Sequence, residues 1–172
     1  TPGDVPPPWL HPDQSPRGDV SAVVCVGATT EDEELAYFSS GGPVTWASVA
    51  PFFDYPFYPE AGLIRPDVVA PGQAIIAPAF NDIESYFYAS GTSMAAPAAA
   101  GVMALMLSKN PWLVPEEMSR ILELSAIAWS DKKSNMYGSG RIDALAAINM
   151  TPHPGVNYAG HQTIDASGEN EV

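Results

Sequence analysis

The stretch from residue 86 to residue 107 constrains the fold most, because an aromatic run passes into a long uncharged run of small and helix-forming residues. Its three leading aromatic residues favour a short strand. Residues 94–107 carry no charge and predict a buried helix. Several alanines and Gly101 make this helix thin, so that neighbouring backbone can pack closely around it. The stretch therefore predicts a strand that turns sharply into a surrounded helix.

The turn between strand and helix holds Gly91, Thr92 and Ser93. The first turn of a helix leaves backbone N–H groups unpaired, and these can receive the negative oxygen that forms when a hydroxyl attacks a carbonyl. Ser93 is therefore a candidate nucleophile. With Thr92 near the N-cap, Pro97 lacks the N–H that would bond the Ser93 carbonyl, so the helix should begin at the serine. An ordinary core helix capped by a serine is the alternative.

Four blocks of sequence carry a resemblance to one family. Residues 91–97, GTSMAAP, resemble the serine motif of the subtilisin family, GTSMAxP. Three further blocks resemble family segments in the same order: 38–43 (FSSxGP), 65–72 (KPDVxAPG) and 137–143 (GxGxVDA). The resemblance runs from about residue 23 to residue 148. It implies an α/β fold with a mostly parallel sheet flanked by helices, of which residues 1–150 form the C-terminal portion. Residues 151–172 are polar and contain glycine and proline, so they predict a polar tail.

The resemblance also implies an activity, the hydrolysis of peptide bonds in a protein or peptide substrate through an acyl-enzyme on Ser93. Gly91 and Thr92 would shape the turn, with Thr92 a secondary contact to the oxyanion. A serine needs a base that is oriented by a carboxylate. The family carries that aspartate, that histidine and an oxyanion asparagine upstream of the serine, in blocks that this chain lacks.

The acidic, imidazole and amide groups before the serine do not match those blocks. The candidates that lack this context are Asp4, Asp13, Asp19, His11 and Asn81. The chain by itself is therefore expected to be inactive, and its partner is expected to be the upstream part of the same catalytic domain. Apolar sheet edges that would pair with strands of the upstream part would favour association with that part or with another copy of the chain.

Two other functions stay open on the residues alone. A self-contained esterase would use Ser93 with Asp143 and either His153 or His161, although that fold needs a buried strand between nucleophile and histidine. A non-catalytic binding or scaffold module would retain Ser93 only as part of a packing motif.

The charge of the chain disfavours two classes of partner. A formal charge of −13 and a pI near 4.3 predict repulsion of nucleic acids and of anionic membranes. Residues 94–107 are too short to cross a bilayer, which takes roughly 18 or more apolar residues. No signal peptide is recognisable, so an export signal would lie upstream. The family resemblance implies a secreted or extracellular protein.

No cofactor is expected to be required for the chemistry. The resemblance implies structural calcium in a complete domain, but the acidic residues form no recognisable calcium loop. The densest acidic run, residues 31–34, lacks the glycine and the alternating spacing of such a loop and predicts a solvated turn.

The remaining pattern predicts the other elements. Residues 22–28 predict a strand buried on both faces, with the lone Cys25 as a small hydrophobic side chain. Further strands are expected at 44–47, 68–70 and 74–77, and an aromatic loop at 48–63 that lines a groove or covers the core. A helix should begin at Pro115, and a last helix should run from Asp143 through Ile148. The apolar stripe predicted for the helix at Pro115 consists of Met118, Ile121, Leu122, Leu124 and Ala128.

Overall fold

A computed structural model describes residues 23–44, 64–80, 82 and 84–155. The aromatic loop, most of the strand expected at 44–47, and residues 156–172 lie outside this part of the chain. The described elements are β1 (Val26–Thr29), β2 (Val68–Pro71), β3 (Ile75–Pro78), β4 (Tyr86–Ala89), α1 (Thr92–Lys109), α2 (Pro115–Ser125) and α3 (Ala144–Met150).

β1 and β2 form a parallel pair in which Val26 lies opposite Val68. Their central residues are buried, as the sequence predicts for a strand covered on both faces, whereas Val26 is half-buried and Pro71 is exposed. β1 nevertheless begins later than predicted. The Cys25 N–H donates to Oδ2 of Asp67 at 2.8 Å, so a carboxylate replaces the strand partner at that position. The strand predicted at residues 68–70 is confirmed.

β3 and β4 form an antiparallel pair in which Ile76 lies opposite Tyr88. Both strands lie where the sequence predicts them. Large side chains on this hairpin are solvent-exposed, including those of Ile76, Tyr86 and Tyr88. The hairpin therefore holds the turn before Ser93 through its backbone and leaves its aromatic rings outside the core.

α1 packs against β1, β2 and α3. It begins at Thr92 with Gly91 as the N-cap, so the predicted cap at Thr92 is wrong by one residue. The expectation of a surrounded helix holds on one face only. Ala95, Ala99, Val102 and Met106 are buried, whereas the opposite face is exposed within the described part of the chain.

α2 begins at Pro115, as predicted, and buries Met118, Ile121 and Leu122. The predicted stripe is wrong at its end. Leu124 is 55% exposed because the buried stripe continues at Ser125, one position later, and Ala128 lies beyond the helix.

α3 confirms the predicted start at Asp143, whose Oδ1 accepts a hydrogen bond from the Ala146 N–H at 2.9 Å. Thr151 was expected to open the polar tail. It is instead 1% exposed, and its hydroxyl donates to the Ala147 carbonyl at 2.8 Å, so it completes the end of α3.

The core joins the β1–β2 pair to one face of α1 and to the buried faces of α2 and α3. This is an α/β arrangement, as predicted, and it fixes the N-terminus of α1 at the end of a strand hairpin. None of the helices in the described part of the chain is a candidate for a membrane span.

Candidate active site

The turn before α1 is held by backbone contacts with the segment after β2. The Gly91 N–H donates to the Gly72 carbonyl at 2.8 Å, and the Gly91 carbonyl accepts from the Met94 N–H at 3.0 Å. Gly91 has φ 156° and ψ 163°, a conformation that essentially only glycine adopts. The Ser90 hydroxyl accepts from the Ala74 N–H at 2.9 Å. The turn is therefore tied to both ends of the β2–β3 connection.

Gly72 allows the close approach that this geometry needs. A Cβ at Gly72 would lie 2.7 Å from the Ala28 Cβ and 2.8 Å from the Gly91 carbonyl oxygen. β1, the turn and the first turn of α1 therefore meet at a point where no side chain fits. Gly72, at the end of the 65–72 block, thus holds the serine turn against β1 and β2.

Ser93 is exposed at the second residue of α1. Its side chain makes no hydrogen bond with any described residue, so the hydroxyl is free to meet a carbonyl from solvent. The N–H groups of Thr92 and Ser93 precede the first intrahelical bonds of α1 and lie at the positive end of its dipole. An exposed hydroxyl beside unpaired N–H groups is the arrangement that nucleophilic attack on a carbonyl requires.

His153 lies far from Ser93, and the Asp143 carboxylate is used in a helix cap. Asp143 caps α3, and the Lys109 ammonium at the C-terminal end of α1 donates to the Ile148 carbonyl near the end of α3, at 2.8 Å. His153 follows that end of α3 and is exposed. Ser93 lies at the other end of α1, roughly 24 Å away at 1.5 Å per residue. The structure therefore does not bring the esterase set together, and His161 lies outside the described residues.

The other residues weighed as triad or oxyanion groups, including His11 and Asn81, also lie outside the described part of the chain. The structure therefore places Ser93, Gly91 and Thr92 together in the turn, but pairs them with no described histidine or aspartate.

A buried ionic network that the sequence pattern did not indicate braces the sheet. Asp67 is 2% exposed, and its Oδ1 accepts from Arg65 Nη1 and Lys133 Nζ, each at 2.8 Å. The same ammonium contacts Glu123 Oε2 at 3.0 Å, and the Ser139 hydroxyl donates to that oxygen at 3.2 Å. The network ties β2 to α2 and to the segment before α3. The sequence signal that could have indicated the network is an aspartate directly before an apolar strand.

Cys25 borders this network instead of filling an apolar gap. Its side chain is half-buried, and burial raises the pKa of its thiol, although the nearby Arg65 guanidinium acts in the opposite direction. A raised pKa keeps the thiol protonated, which agrees with the predicted unreactive role. The charged surroundings differ from the prediction because Arg65 and Asp67 enter through tertiary packing.

The acidic run at residues 31–34 is an exposed turn, as predicted. The Glu34 carbonyl accepts from the Thr30 N–H at 2.8 Å, and Glu33 pairs with Arg141 at 3.0 Å. Within the described ranges, no group of three or more histidine, cysteine or acidic residues could hold a metal ion.

Comparison with known proteins places this turn in a family. The model of the subtilase family matches residues 10–142. The serine protease AprX of Bacillus subtilis is 34% identical over 133 residues, which are 70% of this chain and 27% of AprX. The chain therefore spans about a quarter of the length of that relative.

Two solved structures share the fold. The CspB protease of Clostridium perfringens aligns with a TM-score of 0.57 and 26% identity over 75% of this chain and 26% of CspB. A protease of Pseudoalteromonas arctica aligns with a TM-score of 0.57 and 26% identity over 76% of this chain and 36% of that protease. These likenesses confirm the predicted subtilisin-like α/β fold. The chain belongs to the subtilase family.

Proposed function

We propose that this chain supplies the nucleophile of a serine endopeptidase. The observation that carries the proposal is the exposed Ser93 hydroxyl at the start of α1, beside unpaired N–H groups. Membership of the subtilase family supports a serine peptidase as the parent protein. Peptide-bond hydrolysis through an acyl-enzyme is the reaction that best fits this turn.

In the proposed reaction, Ser93 Oγ attacks the scissile carbonyl carbon while a histidine from the upstream part of the domain takes its proton. The developing oxyanion lies against the Ser93 N–H, with Thr92 and an upstream asparagine as further donors. The histidine then protonates the leaving amine, and water hydrolyses the acyl ester to regenerate Ser93. No cofactor enters these steps.

The exposed face of α1 is where the upstream part of the domain would pack. Most of its residues are small, which allows close approach of another backbone, and Gly101 has no atom within 4 Å of the position of a Cβ. The exposed face consists of Ser93, Ala96, Pro97, Ala100, Gly101, Ala104, Leu105 and Ser108. We propose that the upstream part carries the aspartate, the histidine and the asparagine, and that the parent is secreted or extracellular. Without this part, a second copy of the chain would cover the same face.

A fluorophosphonate probe tests the nucleophile. The parent protein should be labelled, the Ser93→Ala variant should not, and the Ser108→Ala variant should be labelled normally, because Ser108 is an exposed serine on the same face of α1. The 172-residue chain by itself should be labelled far more slowly than the parent. A parent that resists labelling would indicate a scaffold module. Equal labelling of the chain and the parent would indicate the self-contained esterase.

A further inference from the structure

A cavity of about 440 Å³ opens at the carboxyl ends of β1 and β2, beside the serine turn. Its volume is within the usual range of a ligand site. One wall is the acidic turn after β1, and the other is the start of the β3–β4 hairpin. The lining includes Thr29, Glu31, Glu33, Ile75, Tyr88 and Arg141.

The charge of the lining favours a cation. Glu33 and Arg141 neutralise each other, because Glu33 Oε1 and Arg141 Nη2 lie 3.0 Å apart. The Glu31 carboxylate makes no ion pair or hydrogen bond with any other described residue. Asp32 and Glu34 lie in the same exposed turn but outside the lining. Glu31 is therefore the unpaired charge of the cavity.

The opposite wall suits the stem of a long side chain. Tyr88 is 74% exposed and belongs to the lining, on the face of the hairpin that it shares with Ile76. An aromatic face attracts a cation, and an aliphatic stem can pack along the ring. A lysine or arginine side chain therefore matches both walls at once.

Two buried polar atoms of the lining have no hydrogen-bond partner. They are the Thr29 hydroxyl, in a residue that is 1% exposed, and Nε of Arg141. The hydroxyl can accept from a cationic N–H, whereas Nε–H needs an acceptor such as a peptide carbonyl. A polypeptide with a basic side chain brings both groups, which a simple amine does not.

The cavity is close enough to the nucleophile to share a substrate with it. Pro71 and Gln73, which also line the cavity, flank Gly72, whose carbonyl accepts from the Gly91 N–H at 2.8 Å. We propose that the cavity binds a lysine or arginine side chain of the polypeptide substrate, which makes it a specificity-determining site. This inference rests on the proposed peptidase function.

The test is a binding titration of the full chain carrying Ser93→Ala, followed by NMR. One probe is a blocked lysine-containing peptide, and the other is the same peptide with acetyl-lysine. The lysine peptide should bind more tightly. Glu31→Gln and Tyr88→Leu should each weaken its binding by about three- to tenfold. Two matched variants, Asp32→Asn and Tyr86→Leu, should not, because these exposed residues lie outside the lining.

Equal binding of the two peptides, or tighter binding of a glutamate peptide, would overturn the proposal. Equal losses in the matched variants would also overturn it, because general charge or exposed aromatic area would then explain the binding. Cleavage by the parent is a separate measurement. If the cavity binds lysine selectively but the parent never cleaves a peptide, the proposed peptidase function is refuted and the proposed cation site in the cavity is retained.

Discussion

The two faces of α1 have nearly the same composition but opposite surroundings. Ala95, Ala99 and Met106 are sealed against the sheet and the other helices, whereas Ala96, Ala100 and the rest of the opposite face are exposed in the described structure. A helix that is apolar all round is normally buried all round. The described elements therefore complete half of the surroundings of α1, and the proposed packing of an upstream part would complete the other half.

The largest test of this comparison is the deletion of one buried side chain. Met106 is 0% exposed, so Met106→Ala should lower the free energy of unfolding of the full chain by about 2–5 kcal/mol, because it leaves a cavity. The adjacent Leu105 is 52% exposed, and Leu105→Ala should change the free energy of unfolding by only about 0.5 kcal/mol. Urea unfolding followed by circular dichroism measures both. Equal losses would show that the two faces are equally covered.

Enlarging a side chain should also destabilise the chain more on the buried face of α1 than on the exposed face. Ala99 is 1% exposed, so Ala99→Leu should cost about 1–3 kcal/mol through overpacking. Ala100→Leu projects into solvent and should stay within about 0.5 kcal/mol in the same urea experiment. In the parent protein, Ala100→Leu should become disruptive if backbone packs there. A harmless Ala99→Leu would contradict the described packing.

Gly101 gives a prediction that should change sign between the chain and the parent. A Cβ at this position meets no atom within 4 Å, so Gly101→Ala should stabilise the chain by about 0.5–1 kcal/mol through helix propensity. In the parent, an element packed on the exposed face should cancel or reverse that gain. Melting temperatures of both proteins measure the effect. A gain of the same size in both would argue that nothing covers Gly101.

The smallest expected effect concerns the sheet under the buried face. Burial raises the pKa of Cys25, so its stabilising contribution is complete below the pKa of the unfolded thiol and is lost as pH rises through the folded pKa. The pH profile of iodoacetamide alkylation should have a higher midpoint in the folded chain than in urea. Coincident midpoints would show that Cys25 is exposed to solvent in the folded chain.

Local elements were largely predictable because neighbours in the sequence decide them. Proline at the first turn predicted the start of α2, and Asp143 predicted the cap of α3. The errors arose where distant groups intervene. The Asp67 carboxylate ends the strand pairing at Cys25, and packing rotates Leu124 away from the core.

The candidate site divides in the same way. Ser93, its turn and its helix could be identified from one short motif, because strand, glycine and helix are contiguous there. The cavity could not be identified, since Glu31, Tyr88 and Arg141 come from three separate segments. The parallel pairing of β1 with β2, the hairpin after it and the bridge between Val69 and Arg141 bring these residues together.

The sequence by itself therefore determined where a nucleophile can be presented, because backbone sterics and helix capping act over a few residues. The tertiary structure decided which face of α1 is buried, which charges are paired and where a cavity remains. Both faces of that helix are equally apolar in the sequence, so hydrophobicity alone could not choose between them. That choice depends on which distant strands and helices pack against it.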